Sequence, residues 1–283
     1  MIKINYAGTL FIINFCISMV FCSENECYKT LSNCGFISAQ ERACKRKPLK
    51  KYLKLAKSPE DLYNFALKEF NFFDTLRYGI GESCELYANI FTFQLIESLL
   101  TECNKQDSSF NFKVKLLLSN SYFSWGRRGR NAVNYDYFNK EGYNEEQLIV
   151  AKISCLENVN RYFIKSIKNV EYIFKNSNDK DSVLNCQTAV LMYHTYSEYS
   201  KTFEDIASLY RSAPIPEGLN PEDKTAYKNE LLSRANIEVS KGINLLEKFL
   251  EHKLRLVKYI PTEIDEIKKQ LSKFKELKEE AAE

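Results

Sequence analysis

Residues that end helices and form turns are scarce in this chain. Only 9 glycines and 6 prolines occur among 283 residues, and the stretches between them are long. A sandwich or barrel of many strands needs a turn signal about every 8–12 residues, so the sequence argues against such folds. Apolar residues make up 45% of the chain and charged residues 27%, which is the balance of a folded protein. The long uninterrupted stretches therefore predict an all-α fold.

The first 22 residues have the pattern of a secretory signal peptide. Lys3 precedes an uncharged apolar run, Ala7–Phe21, and polar residues follow from Ser23. The run is shorter than the roughly 20 residues that a transmembrane helix needs, and its length suits the apolar region of a signal peptide. We therefore predict export to the periplasm or the extracellular space, with cleavage before Ser23. Lipid attachment at Cys22 and an uncleaved membrane anchor are the alternatives.

Residues 23–57 form a basic leader that contains cysteines. Eight Lys or Arg and a single acid lie between Glu41 and Lys57. Behind a signal sequence, such a run favours an anionic membrane surface or polymer as partner. The alternative is a solvated helix face that covers a set of apolar residues, namely Leu49, Tyr52, Leu53 and Leu55.

Seven cysteines follow the signal segment. An oxidising compartment permits disulfides, and short loops close at low entropic cost, which favours pairing among Cys27, Cys34 and Cys44. No C-x-x-C pair is present and neither histidine is near, so no zinc site is predicted. Cys155 and Cys186 lie in apolar helical patterns, which favours small buried residues over disulfide partners.

Capping residues and apolar spacing divide residues 58–143 into helical hairpins and a loop. Ser58 is a predicted cap for the first helix, and a second helical segment runs from Glu82 to Cys103. A third helix is predicted from Phe110 to Gly126, with a strand as the alternative at its start. The polar, arginine-containing stretch from Arg127 to Tyr143 is predicted to be a long loop.

The arginines of this loop extend the predicted basic patch. Its members are Lys45, Arg46, Lys47, Lys50, Lys51, Arg127, Arg128 and Arg130. Aromatic residues flank the three arginines, as they do on some surfaces that bind nucleic acid. The net charge is only +3 and no nucleic-acid-binding module is recognisable, so nucleic acid is not the predicted partner.

Long helices are predicted to fill residues 144–260, and an amphipathic helix fills residues 261–283. The predicted helices are Asn144–Lys175, a second from Asp181 to Tyr210, a third from Asn220 to about Lys258, and a last one that begins at Pro261. The Pro214-Ile215-Pro216 element ends the second of these helices, because proline donates no helical hydrogen bond.

The segment from Ala213 to Leu219, Ala-Pro-Ile-Pro-Glu-Gly-Leu, joins a helix rich in Tyr to a helix with an acidic start. Further residues continue the pattern: Tyr193, Tyr196, Leu209, Tyr210, Tyr227, Leu231, Ala235 and Leu245. From Leu156 to Leu250 the chain thereby resembles the degenerate tetratricopeptide-like (TPR-like) helical-repeat proteins of bacterial cell envelopes. The resemblance implies antiparallel hairpins stacked as an α-solenoid, whose groove binds a peptide segment or partner subunit. It brings no catalytic residue or cofactor.

Four tyrosines are candidates for lining such a groove, because a tyrosine has a rigid apolar face and a polar tip. They are Tyr193, Tyr196, Tyr199 and Tyr210. The alternative for most of them is packing between helices, with the hydroxyl at the rim.

His194 and Glu198 are four residues apart and so lie on one helix face, but no nucleophile, phosphate loop or catalytic motif accompanies them. The sequence therefore predicts a non-catalytic scaffold of the cell envelope rather than an enzyme. The alternative function is binding of an anionic surface through the basic patch.

We expect the exported form of the chain to begin at Ser23. Signal peptidase should remove the apolar run Ala7–Phe21 together with Cys22 during export. N-terminal sequencing of the protein recovered from the native cell envelope tests this expectation. Recovery of a released protein that still carries Met1–Phe21 would contradict it.

Overall fold

The computed structural model describes residues 46–75, 82–134, 144–178 and 181–279. Every regular element in these ranges is helical, which confirms the all-α prediction. Among these helices, none combines the length and the apolarity needed to cross a membrane. The chain divides into two compact units, residues 1–121 and 122–283. The predicted signal peptide and the leader up to residue 45 lie outside the described residues.

The described part of the first unit contains α1 (Arg46–Leu55), α2 (Pro59–Thr75) and α3 (Glu82–Gln106). Helix α2 begins where the sequence predicts. The Ser58 hydroxyl accepts a hydrogen bond from the Asp61 backbone N–H at 3.2 Å, and the Asp61 carboxylate accepts one from the Ser58 N–H at 3.1 Å. This reciprocal pair satisfies two N–H groups that the helix itself leaves without partners.

A hydrophobic cluster of described residues joins these helices to one another and to the start of the next helix. Its buried members are Leu62, Ala66, Leu95, Ile96, Leu99, Leu100, Cys103, Val114 and Leu117. Leu49 and Tyr52 of α1 pack against the same cluster, so α1 joins the unit along one edge. The three helices are thus stabilised mainly by burial of aliphatic side chains.

The next helix, α4 (Asn111–Asn134), is continuous, which corrects the predicted end at Gly126 and the first part of the loop predicted after it, residues 127–134. The rest of that predicted loop, residues 135–143, lies outside the described residues. The strand alternative for its start is also wrong. Both glycines within α4 face side chains of the following helix. A Cβ atom on Gly126 would lie 2.8 Å from Cε1 of Phe163, and one on Gly129 would lie 2.6 Å from Cγ2 of Val159. The glycines therefore permit close helix packing rather than a turn.

Five more helices follow α4 in the described part of the chain. They are α5 (Glu145–Asn176), α6 (Ser182–Arg211), α7 (Pro221–Glu251), α8 (Lys253–Leu256) and α9 (Pro261–Glu279). Asn144 and Asn220 cap α5 and α7, and each accepts a hydrogen bond from the backbone N–H three residues later at 2.8 Å. Between α6 and α7, Gly218 has a φ of 88°, a left-handed conformation that glycine adopts without a steric penalty.

One predicted helix end in this unit is wrong. The helix predicted to reach about Lys258 stops earlier, at the end of α7. At His252 the backbone N–H bonds to the Phe249 carbonyl at 3.1 Å, and this tight turn interrupts the helix. The Arg255 side chain of α8 then donates hydrogen bonds to the backbone carbonyls of Phe174 and Ser177 at the end of α5. These carbonyls lack helical partners, so the arginine stabilises the terminus of α5.

Helices α5 and α6 run antiparallel and share a buried polar seam. The hydroxyls of Ser166 and Thr195 lie 3.1 Å apart, and the Thr202 hydroxyl donates to the amide oxygen of Asn160. The α6 residue with the higher number, Thr202, pairs with the α5 residue with the lower number, Asn160, so the two helices run antiparallel. All four side chains are buried and hydrogen-bonded, so the seam leaves none of them unsatisfied.

Helix α9 lies parallel to α6 and also packs extensively on α7. The Tyr193 hydroxyl of α6 donates to Glu266, and the Ser200 hydroxyl accepts a hydrogen bond from Gln270 at 2.8 Å. The higher-numbered residue of α6 thus pairs with the higher-numbered residue of α9, so the two helices run in the same direction. The last helix therefore returns beside α6 instead of continuing away from it.

Replacement of Gly242 by alanine should destabilise the packing of α9 on α7. A Cβ atom at this position would lie 2.2 Å from Cε1 of Phe274, so the ring or the helix must shift. We expect a loss of about 1–3 kcal/mol in the free energy of unfolding, although alanine alone favours a helix by about 1 kcal/mol. Thermal or urea denaturation measures the change.

The matched control is Lys228→Ala, at an exposed position of the same helix, which should change stability by less than about 0.5 kcal/mol. A Gly242→Ala variant as stable as the parent would show that Phe274 repacks without cost.

Candidate functional site

A shallow, open surface depression with a volume of about 650 Å³ lies along one side of α7, and all of its described lining residues belong to that helix. Its described lining consists of Asn229, Leu232, Ser233, Asn236, Ile237, Ser240, Lys241 and Asn244. These residues recur every three or four positions, so they occupy one face of the helix. Val239, Leu246 and Phe249 lie on another face of α7 and are fully buried. We call the eight lining residues the α7 groove.

The α7 groove is polar but carries little net charge. Asn229 and Asn244 are exposed, and each asparagine amide offers both hydrogen-bond donors and an acceptor. The Ile237 side chain is 53% exposed and provides an apolar contact near the middle. Lys241 donates to the Glu238 carboxylate at 2.6 Å, so its charge is paired. This combination suits a ligand that has neutral amide groups and apolar side chains.

One acceptor in the α7 groove lacks a hydrogen bond. The side-chain oxygen of Asn236 is shielded from solvent, and no described residue donates to it. Such an unsatisfied acceptor costs about 1–3 kcal/mol. The terminal torsion of an asparagine has a broad minimum, so the amide can turn toward a donor placed in the groove. A bound N–H group would therefore gain the most at Asn236.

The four tyrosines predicted to line a groove do not share one surface. Tyr196 is fully buried and Tyr199 is 9% exposed, whereas Tyr193 and Tyr210 are half-buried. Tyr199 stacks on Phe163 with ring centroids 5.8 Å apart, and burial raises the pKa of Tyr199 to about 12. Packing between helices thus describes Tyr196 and Tyr199. Partner binding through Tyr193 and Tyr210 stays a prediction.

Glu198 is bound to two cations, and its charge also acts on the nearby His194 imidazole. Glu198 forms ion pairs with Arg130 at 3.1 Å and with Lys201 at 2.7 Å. Burial lowers the pKa of His194, and the positive charge of Arg127 lowers it further. The imidazole is therefore neutral at pH 7.

The arginines of α4 do not form a free basic surface. Arg128 is only 7% exposed. The Arg130 guanidinium binds Asp205 at 2.7 Å and Glu198 at 3.1 Å, so its charge is neutralised. Arg127 is exposed on the helix. Arg128 and Arg130 therefore do not belong to the basic patch that the sequence predicts.

The N-terminal members of that patch differ in how far the structure describes them. Lys45 lies outside the described residues. Arg46 and Lys47 belong to the first turn of α1. Lys50 and Lys51 are exposed on the same helix, as an anion-binding surface requires.

None of the three cysteines with described surroundings is part of a disulfide. Cys103 is buried, Cys155 is half-buried and Cys186 is exposed, so the prediction that Cys186 is buried is wrong. Burial raises the pKa of the Cys103 thiol, which makes it a poor nucleophile. Cys27, Cys34 and Cys44 lie outside the described residues. Within the described ranges, no cluster of three or more His, Cys, Asp or Glu side chains is placed to hold a metal ion.

No family model, curated protein or solved structure matches this chain. The all-α fold class therefore rests on the helices themselves. The relation to TPR-like proteins stays a prediction from the residues around the Ala213–Leu219 element.

The sequence analysis missed the α7 groove, although the sequence contains a signal for it. Asparagine or serine occurs at positions 229, 233, 236, 240 and 244. This spacing places them on one helix face.

Replacement of Arg130 by methionine should destabilise the second unit. It leaves Glu198 and Asp205 without their shared cation. We expect a loss of about 2 kcal/mol at pH 7, less than for a fully buried pair, because these side chains are 15–22% exposed. Urea denaturation measures the loss, and Arg161→Met, at an exposed position of α5, is the matched control.

This loss should depend on pH. Burial raises the pKa of Glu198, but Lys201 and Arg130 outweigh burial and hold the pKa below the ordinary 4.5. A lowered pKa stabilises the fold above pH 4.5, and this contribution disappears as the pH falls through the folded-state value. The difference between parent and variant should therefore shrink as the pH falls below 4.5. A difference that is constant down to pH 3 would contradict this assignment.

Proposed function

We propose that the protein is a non-catalytic, exported scaffold that binds an extended peptide segment of a partner protein along the α7 groove. The observation that supports this most is the unsatisfied, solvent-shielded oxygen of Asn236, which a peptide N–H would satisfy. Ile237 beside it offers apolar surface to a peptide side chain. The exported location rests on the predicted signal peptide.

The spacing of the asparagines agrees with an extended ligand. Asn229, Asn236 and Asn244 are separated by seven and eight residues, or about 10–12 Å along the helix axis. Three residues of extended chain span about 10 Å. Successive asparagine amides would therefore contact peptide groups about three residues apart. The whole α7 groove is about 22 Å long, which corresponds to about seven peptide residues.

The helix arrangement supports a TPR-like stack as the architecture of this scaffold. In a closed four-helix bundle, the last helix packs on the first. Here α9 packs extensively on α7 and makes fewer contacts with α6, beside which it runs parallel. Two hairpins side by side, α5 with α6 and α7 with α9, produce this pattern. In such a stack, one face of α7 stays open to a ligand.

A selection from a library of random displayed peptides tests the proposal. Peptides that bind the mature chain should be at least about seven residues long and extended when bound. Their affinity should fall by about 30-fold in the double variant Asn229→Ala/Asn244→Ala, because two hydrogen bonds are lost. Alanine favours a helix, so the variant should keep its fold.

The control is Asn64→Ala/Asn71→Ala, which removes two exposed asparagines from α2 and should leave the affinity unchanged. Equal affinity of both double variants would place the peptide elsewhere. A selection that yields no binder would contradict peptide binding itself.

A further inference from the structure

Helix α1 presents three lysines on the side opposite the core of the first unit. Lys50, Lys51 and Lys54 are exposed, whereas Leu49 and Tyr52 pack on the core. At 100° per residue, the three lysines lie within an arc of about 100°. None of them forms an ion pair with any residue that the structure describes. We call these three residues the α1 lysine face.

Two apolar side chains border the α1 lysine face. Leu53 is 40% exposed and Leu55 is 55% exposed. This corrects the interpretation that both leucines lie beneath a solvated helix. Helix α1 has only ten residues and contacts the core along one edge, so its flanks stay in water. The leucines lie on the two flanks, one on each side of the lysines.

We propose that α1 binds the surface of an anionic lipid membrane through this combination. The ammonium groups of Lys50, Lys51 and Lys54 would lie among the lipid phosphates, and their flexible aliphatic stems allow the charges to reach them. Leu55, which lies about 40° from Lys51 around the helix, would enter the boundary between headgroups and acyl chains, whereas Leu53, about 160° from Leu55, would stay at the other edge of the lysine face. This binding surface lies in the first unit and is independent of the α7 groove.

The exposed leucines favour a membrane over a dissolved polyanion. A polyphosphate or nucleic acid would pair with the three lysines and leave Leu53 and Leu55 in water. A lipid surface pairs with the lysines and also removes apolar area from water, which is favourable. The two kinds of partner therefore differ in how much they depend on the leucines.

Vesicle co-sedimentation of the mature chain tests the proposal. The vesicles contain phosphatidylcholine alone or with one third phosphatidylglycerol. We expect binding to the anionic vesicles, and a partition coefficient lower by about 100-fold in Lys50→Gln/Lys51→Gln/Lys54→Gln. The control, Lys168→Gln/Lys175→Gln/Lys228→Gln, removes the same charge from exposed positions of α5 and α7 and should bind within about threefold of the parent.

A second variant, Leu53→Ser/Leu55→Ser, distinguishes the lipid surface from a polyanion. It should weaken vesicle binding by about tenfold, because the inserted leucine is lost, and should not change binding to soluble polyphosphate. The proposal is overturned if the two lysine variants bind vesicles equally. It is also overturned if the leucine variant binds vesicles like the parent, since binding would then require only negative charge. Circular dichroism melting of each variant confirms that α1 and its unit stay folded.

Discussion

The second unit depends on the close packing of α6, which is buried against α5, α7 and α9. Its serines and threonines make this possible because they are small and are hydrogen-bonded inside the packing. The Thr195 and Thr202 hydroxyls bond to carbonyls of their own helix at 2.7 Å and also meet polar side chains of α5. The Ser200 hydroxyl donates to the Ser197 carbonyl of its own helix and accepts a hydrogen bond from Gln270 of α9. A larger apolar residue at any of these positions would separate helices whose order determines which face of α7 stays open.

The starts of the helices could be predicted from the sequence because local chemistry determines them. Ser58, Asn144 and Asn220 each cap a helix through their own side chain, and the residues involved are three positions apart. The ends of α5 and α6 fall within one residue of the prediction, whereas those of α4 and α7 do not. Gly126 has the local character of a helix breaker, yet it lies inside α4 with its face against the Phe163 ring, a contact with a residue far along the chain.

Burial was harder to predict than helix position. Apolar spacing shows which face of a helix is suited to a core, but it does not show how much of that face a neighbour covers. Leu53 and Leu55 follow such spacing and are exposed because α1 meets its unit along one edge. The Asn236 environment was also beyond the sequence, since an unsatisfied acceptor is recognised only when every neighbouring donor has a position.

The lack of unpaired charge in the α7 groove has a consequence for its response to salt. Hydrogen bonds between neutral amides change little with ionic strength, and the one lysine of the groove is already paired with Glu238. The α1 lysine face has no such partner within the described chain, and at physiological salt its field decays over about 8 Å. Ionic strength would therefore act on the two surfaces of this protein separately, weakening contacts at α1 while leaving those at α7 intact.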